Sequence, residues 1–127
     1  METEKDLDII HIDKDQHFLD IYQEYFSKHG LKSQTYTDSE RGFRSAKENN
    51  PKVILQELVL ADTEGYDLLE RFKENGETSY LPVVVLSELG EKRDVEKARE
   101  YGANQYIVKQ HIKPANVAKC LQQNFIN

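Results

Sequence analysis

The sequence predicts an α/β fold: five strand–helix units, with the strands parallel in one sheet and helices on both faces. Three observations predict it. Short apolar runs recur along the chain, four of them ending in a polar or charged residue. Stretches of helical period alternate with these runs from one end to the other. The connections are short and carry Gly30, Asn49-Asn50-Pro51, Asn75-Gly76 and Gly102. Alternation of this kind implies right-handed crossovers and a three-layer, doubly wound arrangement.

Residues 7–12 read as the first strand. Asp15 follows as a helix cap, its carboxylate taking an orphan N–H. Phe18, Ile21, Tyr22, Tyr25 and Phe26 recur at helical spacing and are expected on the inward face. Gly30 ends that helix. Residues 31–36 alternate with polar positions and read as an edge strand. Asp38 or Ser39 caps a second helix, with Phe43 and Ala46 inward and Gly42 allowing a close approach to the sheet.

Residues 53–57 are apolar for most of their length and are expected at the centre of the sheet. Residues 66–73 form the third helix, with Leu68, Leu69 and Phe72 inward. Pro82 opens the fourth strand, residues 83–87, where a missing N–H breaks no ladder bond. Residues 93–101 form the fourth helix, with Val95, Ala98 and Tyr101 inward, and Gly102 caps it. Residues 105–108 are the fifth strand. Pro114 suits a first helical position, and Val117, Leu121 and Phe125 carry the last helix inward.

At 127 residues this reads as one domain, residues 1–127. The net charge of −6 argues against direct binding to nucleic acid and to anionic membranes. Cys120 is the only cysteine, so neither an intrachain disulfide nor a cysteine metal cage is expected. No apolar stretch approaches the roughly 18 residues that span a bilayer, and the charged start has no signal core. A cytoplasmic address is the expectation. His17, His29 and His111 lack metal-site spacing, and His11 reads as a satisfied or edge histidine.

In a parallel α/β sheet, ligand sites lie outside the carboxyl ends of the strands. The predicted ends carry Asp13, Lys14 and Asp15, then Glu57, then Ser87, then Tyr106 and Lys109. Acid, hydroxyl and amine together suit the handling of a phosphoryl group.

With these residues in place, the chain resembles a receiver domain of bacterial two-component response regulators, of the CheY-like type. The resemblance rests on the acidic end of the first strand, the loop from Glu57 through Gly65 to Leu69, Ser87 after its strand, and the segment from Gly102 to Lys109. It implies a flavodoxin-like fold with strand order 2-1-3-4-5, an order for which CheY is a standing example. It also implies that an aspartate at position 57 accepts a phosphoryl group from a histidine kinase. Acids at positions 13 and 14 would hold Mg²⁺. The hydroxyl at 87 and the amine at 109 would contact the phosphoryl oxygens, and the aromatic at 106 would switch rotamer.

Glu57, Lys14 and Gln110 depart from that pattern, the last standing where a proline is common. Glu57 moves its carboxylate by up to about 1.5 Å, one carbon–carbon bond. Lys14 offers Mg²⁺ no oxygen and repels it. The expectation is a receiver that works without phosphorylation, with Lys14 as the cation beside Asp13 and Glu57, and with no cofactor. Glu57 is expected to reach Ser87 and Lys109 as a partial phosphoryl mimic. Residual metal candidates are Asp13 and Glu57. A sensor histidine kinase or another signalling protein is the expected partner. The fourth helix, fifth strand and fifth helix form the expected docking or homodimer face, around Arg93, Lys97, Tyr101, Tyr106, Gln110 and Lys113. Two alternatives stand: a Mg²⁺-dependent phosphoacceptor, and a flavodoxin-like cofactor protein. The second is disfavoured because carboxylates after the first strand repel phosphate. A free-standing receiver and the first part of a longer protein both fit the sequence.

Overall fold

The computed structural model describes residues 7–126, and the charged opening stretch lies outside them. The elements run β1 (Ile9–Ile12), α1 (Gln16–Lys28), β2 (Ser33–Tyr36), α2 (Ser39–Asn49), β3 (Val53–Gln56), α3 (Gly65–Glu74), β4 (Val83–Ser87), α4 (Lys92–Glu100), β5 (Gln105–Val108) and α5 (Pro114–Asn124). The strands pair in parallel in the order β2-β1-β3-β4-β5. β3 is central and β2 is an edge, as their patterns predict. A 3-10 turn, Lys109–His111, follows β5 and was not legible in the sequence.

Successive strand residues point to opposite faces, so each apolar strand feeds two cores. On one face Ile10, Ile12, Ile54, Val83 and Val85 pack with Phe43, Leu69, Phe72 and Ala98 from α2, α3 and α4. On the other, Ile9, Leu55, Val84 and Leu86 pack with Tyr22, Phe26, Val117 and Leu121 from α1 and α5. Gly42 allows α2 to approach closely, since a Cβ there would lie 2.6 Å from the Ile12 side chain.

Two expectations are corrected, and one open choice is resolved. Ile21 and Tyr25 are 39% and 37% exposed, whereas Leu19, Tyr22 and Phe26 are buried. The inward stripe of α1 is therefore narrower than the apolar pattern suggests. His11 is buried on an interior strand, not at an edge, and its Nδ1 has no hydrogen-bond partner. Asp38 caps α2 by accepting from the Glu40 N–H at 3.0 Å. Ser39 instead donates its hydroxyl to Asp62 at 2.7 Å.

Candidate functional site

The parallel register levels the carboxyl ends of the strands. Ile12 lies opposite Gln56, Gln56 opposite Val85, and Ser87 opposite Val108. The residues just beyond β1, β3 and β5 are Asp13, Glu57 and Lys109. The structure gathers these three with Ser87 into one pocket. Asp13 and Glu57 are 1% and 2% exposed, and Ser87 is fully buried.

The Lys109 ammonium lies 2.8 Å from Asp13 Oδ2 and 2.8 Å from Glu57 Oε1. It also sits over the Phe18 ring, 4.0 Å from the centroid. Buried carboxylates need a cation or hydrogen bonds to offset lost hydration, and this site supplies both. Glu57 Oε1 accepts from the Glu88 N–H at 3.3 Å. Its Oε2 accepts from the Leu58 N–H at 2.6 Å, the Val59 N–H at 3.0 Å and the Ser87 hydroxyl. The extra methylene lets the carboxylate fold back over the amides that follow it. Asp13 Oδ1 accepts from the Asp15 N–H at 2.9 Å.

Burial pushes the Asp13 carboxyl up from its usual value, against the Lys109 hydrogen bond, which lowers it. Burial works against the Lys109 ammonium, yet its bonds to Asp13 and Glu57 win and its pKa is raised. Burial, helped by the nearby Lys109 charge, drops His11 to about 3. The imidazole is therefore neutral among the rings of Phe18, Tyr22 and Phe26.

Lys14 is not the cation of this pocket. It is exposed, and it takes part in none of the ion pairs among the described residues. Asp13 turns inward, while the next side chain keeps its ammonium in water, where hydration is strongest. Lys109 has the stem length and the strand position to bridge both acids. Asp15 contributes only its backbone N–H. Its carboxylate is exposed and caps α1 by accepting from the Phe18 N–H at 3.2 Å. Tyr106 is half-buried, its hydroxyl donates to the Leu89 carbonyl at 2.6 Å, and burial pushes it up to about 12.

Mg²⁺ wants a near-octahedral shell of oxygens. Here two carboxylates are already bridged by an ammonium. No cluster of three or more His, Cys, Asp or Glu among the described residues could hold a metal.

Gln56 escaped the sequence reading, and Gly65 was read only as part of the loop. Gln56 is fully buried and its Nε2 donates to the Gly65 carbonyl at 3.0 Å. Gly65 packs on Leu58, where a Cβ would come within 2.3 Å of the Leu58 Cα. Together they fold the β3–α3 loop so that the Leu58 and Val59 N–H groups face Glu57. An amide inside an otherwise apolar central strand was the available signal.

A profile of the response regulator receiver domain matches residues 9–122. The chain is 29% identical over 72 residues to the two-component response regulator ORR7 of Oryza sativa subsp. indica, covering 57% of this chain and 34% of that protein. It is 27% identical over 101 residues to the DNA-binding dual master transcriptional regulator RpaA of Synechocystis, covering 80% of this chain and 42% of that one. The chain thus spans less than half of either relative. The fold is similar to the Vibrio cholerae chemotaxis protein CheY4, with a TM-score of 0.83 at 15% identity, covering 92% of this chain and 97% of that one. No helix of the described residues is long and apolar enough to cross a membrane. The chain belongs to the response regulator receiver domain family.

Proposed function

We propose that this chain is a receiver domain that signals by protein–protein contact, without phosphorylation and without a metal. The single observation that carries this reading is the Lys109 ammonium bridging Asp13 and Glu57 at 2.8 Å each. In-line phosphoryl transfer needs an aligned nucleophile and a cation that neutralises developing charge. Here the carboxylate is held by three backbone N–H groups, a hydroxyl and an ammonium, so no lone pair is aimed outward. Those same donors would otherwise meet phosphoryl oxygens. Glu57 imitates a phosphorylated aspartate in part, with one charge against about −1.5 to −2 for a phosphoryl group.

The partners in this reading are a sensor histidine kinase or another signalling protein. The face built by α4, β5 and α5 presents exposed Arg93, Lys97, Gln110 and Lys113 to them. The whole of residues 1–127 acts as the one receiver domain.

The test is incubation with acetyl phosphate and Mg²⁺, followed by intact mass measurement. The expected result is no gain of a phosphoryl group. A stable acyl phosphate that disappears in Glu57→Gln would overturn the reading.

A further inference from the structure

The β4–α4 loop is fastened at one peptide group from both sides. The peptide joining Glu88 to Leu89 offers its carbonyl to Gln110 Nε2 at 3.1 Å. Its N–H donates to Ser87 Oγ at 3.1 Å. In a planar trans peptide these two groups point in opposite directions, so fixing one aims the other. A serine hydroxyl has one proton and two lone pairs. With a lone pair taken by the Leu89 N–H, its proton is directed to Glu57 Oε2, the contact the structure contains. The relay therefore runs from Gln110 through one peptide to Ser87, and from Ser87 to the carboxylate.

Gln110 makes no ion pair and is itself exposed, in the 3-10 turn after β5. That turn places its amide beside the loop. A proline, the residue common in the family at this position, has no side-chain donor for the Glu88 carbonyl. The Leu89 carbonyl is held separately by Tyr106, so the loop has a second anchor on β5.

We infer that Gln110 is a positioning residue that aims the Ser87 hydroxyl at Glu57 through the Glu88–Leu89 peptide. This deepens the reading of Glu57 as a built-in signal and rests on it for its meaning. Its test reads the loop alone, so the two can fail separately.

The test compares Gln110→Met, which keeps length but loses the donor, with Gln110→Lys, which keeps a donor. Native-state hydrogen exchange is followed at the Leu89 amide, with the Thr78 amide as a remote reference. In Gln110→Met, Leu89 should exchange about two- to twelvefold faster, the range expected for one modest hydrogen bond. Thr78 should not change. Gln110→Lys should exchange at the wild-type rate. The inference is overturned if Leu89 is unmoved in Gln110→Met, if Gln110→Lys is as fast as Gln110→Met, or if Thr78 accelerates in step with Leu89.

Discussion

At the scale of single residues, two buried groups carry opposite lessons. Lys109 is the one cation between two buried acids, so its removal leaves both uncompensated. Lys109→Met should cost about 3–5 kcal/mol of unfolding free energy in urea titration at neutral pH. His11 is held neutral, with its folded pKa lowered to about 3. A base whose pKa is depressed by folding gives stability that is present above its unfolded value and lost as pH falls toward the folded one. Between pH 6.5 and 5 the wild type should lose about 1.5 kcal/mol more than His11→Leu, since each pH unit is worth about 1.4 kcal/mol once the unfolded imidazole is charged. Parallel urea titrations across that window check it. Neither residue's setting was fully legible beforehand. Lys109 was marked by its position at a strand end. Its rivalry with Lys14 turned on which stem reaches the acids, a matter of three-dimensional geometry.

At the scale of elements, the period of the pattern was a good guide to type and a poorer guide to faces. Five apolar residues of α1 shared a helical spacing, but only part of that arc meets the sheet. Phe26→Ala should destabilise by about 3–5 kcal/mol. Ile21→Ala and Tyr25→Ala should cost less, about 1–2 kcal/mol each, because only part of each side chain is covered. Thermal or chemical denaturation of the three variants separates the faces. The loop after β3 obeys a different constraint, because Gly65 stands against backbone that cannot yield. Gly65→Ala should destabilise by about 1–3 kcal/mol, as overpacking does. It should also shift the Leu58 and Val59 amide resonances, because their bonds to Glu57 depend on that fold of the loop. The sequence showed a glycine closing a loop. It could not show that Leu58 lies beneath it, since that contact exists only once β3 and α3 are docked.

At the scale of the whole molecule, the parallel sheet and its two-sided core were legible because alternation of short strands and helices leaves few topologies open, while the order of the strands came from the resemblance to receiver domains. The pocket was legible as a set of strand ends. What was hidden was how its donors are shared, because one carbon of side-chain length decides where a carboxylate folds. Both cores share one sheet, so far- and near-ultraviolet circular dichroism should report a single coincident thermal transition. β5 closes one side of that sheet, with a neighbour on β4 alone. Outer strands ordinarily fray first, through openings far cheaper than global unfolding. Here the residue just past β5 is tied by charge to the ends of β3 and β1, across the intervening strand. Peeling β5 away would drag an ammonium off two desolvated acids. The border of the sheet is thereby sewn to its middle, and the amides of residues 105–108 should lose their slow exchange in Lys109→Met before those of β3 do.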